Sequence, residues 1–134
     1  MTDDLIKLAE RVEAATGPDR ELDIAIWLGS IANEQQRKLV EQGRELHGDG
    51  EADFRADRMM DGRRYTASID AALTLVPEGH DWVLLDHRAS YGSPYAEVKS
   101  GDDRVADHVG RAATPALALT AAALRAHLEA KHGG

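Results

Sequence analysis

Apolar positions along the chain change spacing from segment to segment, and each change predicts an element. Leu5, Leu8 and Val12 follow Asp3 and Asp4 at intervals of three and four, which predicts a short amphipathic helix with acidic residues at its positive end. Thr16-Gly17-Pro18-Asp19 breaks it. Pro18 and the acids after it make a first turn for a second helix, whose Leu22, Ile24, Ile26, Trp27 and Leu28 are apolar nearly all round, as in a central helix. Gly29 and Ser30 close it, and the run to Leu46 keeps helical propensity with only a thin stripe of Ile31, Leu39 and Leu46, predicting an exposed continuation. From Gly48 to Arg64 the chain is rich in Gly and Asp, has no period, and reads as a polar, mobile loop.

The segment RYTASIDAALTLVPEG, residues 64 to 79, then predicts an extended Tyr65, an N-cap at Thr66 or Ser68 with Asp70 in the first turn, one apolar face of Ile69, Leu73 and Val76, and a stop at Pro77. Residues 81 to 88 (DWVLLDHR) have the content of a strand, and Tyr95 to Lys99 alternates like a second one. The turn residues SYGSP at 90 to 94 join them into a predicted hairpin, left at 100 to 103. Thr114-Pro115 is an N-cap followed by proline at the first helical position, and the helix it starts runs to about Lys131. Leu117, Ala121, Leu124 and Leu128 form one stripe on it. Leu119, Ala122, Ala123 and Ala126 form a second, small-residue face that needs a cover. A homodimer through this C-terminal helix is the expected way to supply one. No repeat or linker interrupts residues 1 to 134, so one domain is expected.

Composition sharpens this picture. Aromatics are only 4% of the chain, so the core must be built from Ala, Leu, Val and Ile, which favours helices. A net charge of −8 opposes phosphate neutralisation, and no direct nucleic-acid binding is expected. The absence of cysteine removes disulfides, thiolate chemistry and Cys-type zinc sites. The N-terminal residues lack the basic and apolar regions of a signal peptide, and no apolar run approaches the ~20 residues that span a bilayer. A soluble protein of the cytoplasm is expected.

Candidate chemistry is sparse. His87, Asp103, Asp107 and His108 could serve a metal- or His/Asp-dependent hydrolase, and His80, Asp81, Asp86 and Asp102 lie near them in sequence. Their spacing matches no metal signature, and solvated polar residues at strand ends and in acidic loops are the favoured explanation of them. Ser90 and Ser93 sit in a turn suited to them, without a nucleophile elbow. The expectation is therefore no catalytic residue, no metal and no cofactor. Two features suit binding instead. Arg58, Arg63 and Arg64, with Arg55, form the one local cluster of positive charge, able to hold a phosphate or carboxylate. Tyr91 and Tyr95 flank Gly92 and Pro94, where they could offer flat faces to a ligand.

Three blocks, EAATGPDRELDIAI (13 to 26), RYTASIDAALTLVPEG (64 to 79) and ATPALALTAAALRAH (113 to 127), together resemble the phage ABA sandwich domain family of small phage and prophage proteins. The resemblance implies an α+β fold with helices packed on both sides of a small antiparallel sheet, an α/β/α sandwich. It implies no assigned catalytic motif. The chain departs from the family pattern in a longer segment at about 30 to 63 and in Thr120, where cysteine is frequent. The resulting expectation is a non-enzymatic accessory protein in the bacterial host cytoplasm that binds a host protein or a small anionic nucleotide-like ligand, with counteracting a host defence system as its expected role. A hydrolase, or a virion or packaging accessory, is the alternative.

Overall fold

The computed structural model describes residues 2–80, 82–86, 92–99 and 108–133. They form six helices, α1 (Thr2–Ala14), α2 (Arg20–Ser30), α3 (Glu34–His47), α4 (Asp49–Met59), α5 (Ile69–Leu73) and α6 (Pro115–Gly133). Three strands, β1 (Trp82–Asp86), β2 (Tyr95–Lys99) and β3 (His108–Arg111), make one antiparallel sheet in the order β1-β2-β3. The chain is thus α+β, with helices packed around a small antiparallel sheet.

Local capping accounts for most helix starts. The Asp19 carboxylate accepts the Leu22 N–H at 3.1 Å, the Ser68 hydroxyl accepts from Ala71 at 3.2 Å, and the Thr114 hydroxyl accepts from Leu117 at 3.2 Å. The N-cap ahead of α5 is therefore Ser68, which frees Thr66 for another task. The Asp23 carboxylate is only 2% exposed, and its Oδ1 accepts both the Thr66 N–H and the Thr66 hydroxyl at 2.8 Å. Thr66 Oγ1 in turn accepts the Asp19 N–H at 2.9 Å. Arg20 closes the group from outside, donating to the Arg63 carbonyl at 2.9 Å and pairing with Asp57. One residue away, the Tyr65 carbonyl accepts from the buried Thr120 hydroxyl at 3.0 Å. The three sequence blocks at 13 to 26, 64 to 79 and 113 to 127 thus meet in one buried hydrogen-bonded cluster.

The central element is α6, which packs on α1, α5, β2 and β3. Ala96 and Val98 of β2 face it, both fully buried. At Gly110 a Cβ would lie 2.1 Å from the Ala118 carbonyl oxygen, so β3 reaches the helix backbone only because this residue has no side chain. A bidentate ion pair locks the same junction. Arg125 of α6 donates to Glu13 of α1 at 2.6 and 2.8 Å and to the Val109 carbonyl at 2.7 Å, and Glu13 also accepts the Arg111 N–H at 3.0 Å. These Arg125 bonds hold the Glu13 carboxyl below its usual range, the Arg111 N–H adds to that, and partial burial opposes it.

Several expectations are corrected. Residues 49–59 of the expected loop form α4, because Ala52 and Ala56, four apart and fully buried, give the segment a packing face against α3. Gly48, at φ 93, interrupts the helices for a single residue. The helix after Ser68 is five residues long and buries Ala72, with Leu75 beyond it, whereas Ile69 and Leu73 are exposed. Both tryptophans read from sequence as core anchors, and Trp27 is buried, but Trp82 is 66% exposed on an outer strand. The hairpin is present and gains β3, unforeseen because HVGR is short and follows an acidic stretch. Finally, Leu119, Ala122, Ala123 and Ala126 are all fully buried within the chain. The face that motivated a homodimer through the C-terminal helix already has its cover.

Three outcomes follow from this packing. Asp23→Ala leaves the buried Thr66 groups without an acceptor and should lower the unfolding free energy in urea by about 2–4 kcal/mol. Adding Thr66→Val should cost much less than it does alone. Ala122→Glu with Ala126→Glu should unfold the chain, seen as loss of a cooperative melt, since both side chains are enclosed. For Glu13 the folded pKa lies below the unfolded value of about 4.3. The pair's stabilisation is therefore complete above that value and is lost as pH falls through the lower folded pKa. The stability gap between the natural chain and Glu13→Gln, measured by urea titration, should be constant near neutrality and narrow below about pH 4.3. A gap unchanged in strong acid would contradict it.

Candidate functional site

Between Ser30 and Met60 the chain forms two helices, α3 and α4, which add Val40, Ala52 and Ala56 to the hydrophobic core. Asn33 starts the first with a capping box, its side chain accepting from Gln36 at 2.8 Å while the Gln36 side chain accepts from the Asn33 N–H at 2.9 Å. Val40 on α3 and Ala52 and Ala56 on α4 supply the contact between the pair, and α2 is the neighbour that α4 touches beyond it. Small residues at the seam bring the helices close and leave their larger apolar side chains outside. Phe54 is 57% exposed, Leu46 71% and Leu39 38%.

Arg55 shapes this surface. Its side chain lies across α3 at Gly43, where a Cβ would come within 2.8 Å of Arg55 Cδ and Nε. It donates to the Leu39 carbonyl at 2.8 Å and approaches Glu51 at 3.9 Å. Arg55 is thereby a wall. Arg58 is exposed, with its guanidinium carbon 5.8 Å from the Phe54 ring centroid, in cation–π range. Leu39, Phe54, Arg55, Arg58 and Met59 line an open groove of about 370 Å³, apolar on its floor and basic on its rim. On the other side of Phe54, Glu21, Asp53 and Asp57 border a second hollow of about 460 Å³ with Arg20 and Ile24. Phe54 is therefore a ridge between a basic-rimmed and an acidic-rimmed depression.

The described residues singled out from sequence are spread over three places in the fold: α4, the turn after it and β2. Arg58 is on α4, and Arg63 and Arg64 follow in the exposed turn after it, with both backbone carbonyls engaged by Arg20 and by Ala67 and Ser68 respectively. Tyr95 is on β2, and the structure does not bring it to Arg58: α4 packs on α3 and α2, whereas β2 packs on β1, β3 and α6. Tyr95 points with Glu97, which its hydroxyl engages, and its ring lies 5.3 Å below the Arg111 guanidinium carbon. That bond, followed by the Lys99 ammonium at 3.2 Å, holds the Glu97 carboxyl below its usual range. Tyr91 lies outside the described residues, as do His87, Asp103 and Asp107 of the alternative hydrolase set. His108 opens β3, and its ring centroid is 5.6 Å from that of His80. Among the described residues no three His, Asp or Glu side chains come together as a metal site.

Sequence reasoning missed Phe54, Leu39 and Met59 as a surface. A signal was present, since Phe54 is the only phenylalanine in the chain and stands among charged residues. Assigning its segment to a loop removed the helical spacing that places it opposite Ala52 and Ala56. Among the described residues no helix is long and apolar enough to cross a membrane. Comparison with protein-family models, with curated proteins and with solved structures gives no match.

Proposed function

We propose that the protein is a small, non-enzymatic accessory protein that works by binding, and that the α3–α4 hairpin is its partner-facing element. The observation that carries this reading is the exposed Phe54 ridge with its groove of Leu39, Arg55, Arg58 and Met59. A chain whose aromatics are 4% of its residues holds its one phenylalanine in water, with no role in its own core. Apolar surface beside a basic rim suits an acidic segment with one apolar face, such as a helix of a partner protein. The likeness of the three sequence blocks to the phage ABA sandwich family supports a setting in phage or prophage. In that setting the role we assign is to counteract a bacterial defence system by occupying a defence protein in the host cytoplasm. The hairpin falls in the segment that is longer than the family pattern, where a partner-specific surface can vary without touching the core.

A second reading, capture of an anionic nucleotide-like ligand, is favoured by the Arg58 guanidinium above the Phe54 ring, since a base stacks on a flat face and a phosphate takes the guanidinium.

The test is capture from host lysate with the natural chain, Phe54→Ala and Arg58→Glu, alongside mass spectrometry of co-purifying nucleotides. Both substituted side chains are solvent-exposed, so melting temperatures should move by only a few degrees, as surface changes within about 0.5 kcal/mol do. Partner capture should fall at least about tenfold in each variant, an anchor loss of about 1.4 kcal/mol or more. Capture unchanged in both, with folding intact, would place the binding surface elsewhere.

A further inference from the structure

His80 stands in the turn after Pro77, its N–H donating to the Pro77 carbonyl at 3.3 Å, and Gly79 before it adopts φ 88. Both ring nitrogens of His80 are shielded from solvent, and neither has a hydrogen-bond partner. A neutral imidazole always carries one donor and one acceptor, and a charged one carries two donors. Burying both nitrogens idle is therefore costly in either state, and such groups call for a partner that the described residues do not supply. His108, on the neighbouring start of β3, presents its ring at 5.6 Å centroid to centroid with the planes tilted by 57°. Two imidazoles that share one tetrahedral ion at ~2.0–2.1 Å hold their centroids roughly 5–6 Å apart. The observed separation is that of a pair able to close on a common ion.

We propose that His80 and His108 form a binding site for a divalent transition-metal cation of the zinc class. Imidazole nitrogen selects this class, because zinc, cobalt and nickel accept nitrogen donors readily whereas magnesium and calcium demand oxygen. Two imidazoles leave two positions of a tetrahedral ion to water, so the ion is exchangeable. The ion joins the turn after α5 to the first residue of β3, two parts of the chain 28 positions apart in sequence, and so stabilises the folded chain by mass action. The inference stands apart from the binding reading above, since it uses neither Phe54 nor Arg58.

The experiment is calorimetric titration of the untagged, full-length chain with zinc chloride near pH 7.5, repeated in excess magnesium chloride and near pH 5.5. One zinc ion per chain is expected, undisturbed by magnesium and weakened at least about tenfold at the lower pH, where the imidazoles protonate. His80→Ala and His108→Ala should each weaken binding at least about tenfold, while His47→Ala, on the exposed end of α3, should leave it unchanged. Should either variant fail to fold, proton–nitrogen spectra of the natural chain decide the matter: zinc must shift the ring nitrogens of both His80 and His108. No saturable zinc binding, or zinc shifts confined to other histidines, would overturn the proposal and leave the two rings as a packing contact.

Discussion

A buried carboxylate at position 23 organises this protein. Burying a carboxyl group costs free energy that only hydrogen bonds to its oxygens offset, and Asp23 makes them with the backbone and hydroxyl of Thr66, with Arg20 3.5 Å away on the outer side. That requirement fixes where the chain at 65–66 must lie relative to the start of α2. Thr66 then serves the Asp19 N–H, and the Tyr65 carbonyl next to it receives the hydroxyl of Thr120 from the middle of α6. Three segments distant in sequence are thereby held in register by directional bonds at a place where apolar contacts alone would permit sliding. The residues of the two earlier blocks that look conspicuous in sequence, Asp19, Asp23 and Thr66, have this structural work as their reason.

Around that cluster the helix α6 succeeds as a central element because it is smooth. With alanine at 116, 118, 121, 122, 123 and 126, its backbone can be approached from several sides, and β3 takes this to the limit at Gly110. A helix of this kind needs few aromatics around it, which fits a chain that has few. Fine control comes from polar anchors at its surface: Arg125 gathers Glu13 and the Val109 carbonyl, and His127 contacts the Leu75 carbonyl. Packing brings the layers together, and these bonds select one arrangement of them.

The α3–α4 hairpin obeys the same logic with a different result. Small residues line its seam, and the large apolar ones, having no core to enter, remain outside on a surface edged with arginines. The outer face of the hairpin thus carries a distinctive surface. Arg20, which pairs with Asp57 of α4 while lying beside Asp23, is the link between the two regions.

Elements whose causes are local can be read along the chain. The cap at Thr114, the all-round apolar α2, the long α6 and the β1–β2 hairpin depend on neighbours a few residues away and were legible, the cap ahead of α5 was narrowed to Thr66 or Ser68, and the cap at Asp19 was not singled out, because Pro18 was read as the helix start. Only the tertiary structure decided matters set by residues distant in sequence. Whether Ala52 and Ala56 make a helix depends on α3 being there to cover them. Whether the Ala face of α6 meets another chain or its own depends on β3 and α1, and α3–α4 packing leaves Phe54 outside. Of the candidate binding residues, Arg58 gained a neighbour in Phe54 that the sequence had placed in a loop, and Tyr95 gained Arg111 from a strand that was not foreseen. Local hydrogen bonding and periodicity can be read along a chain, but the partner of a surface is chosen by the free energy of burying one segment against another far away in sequence.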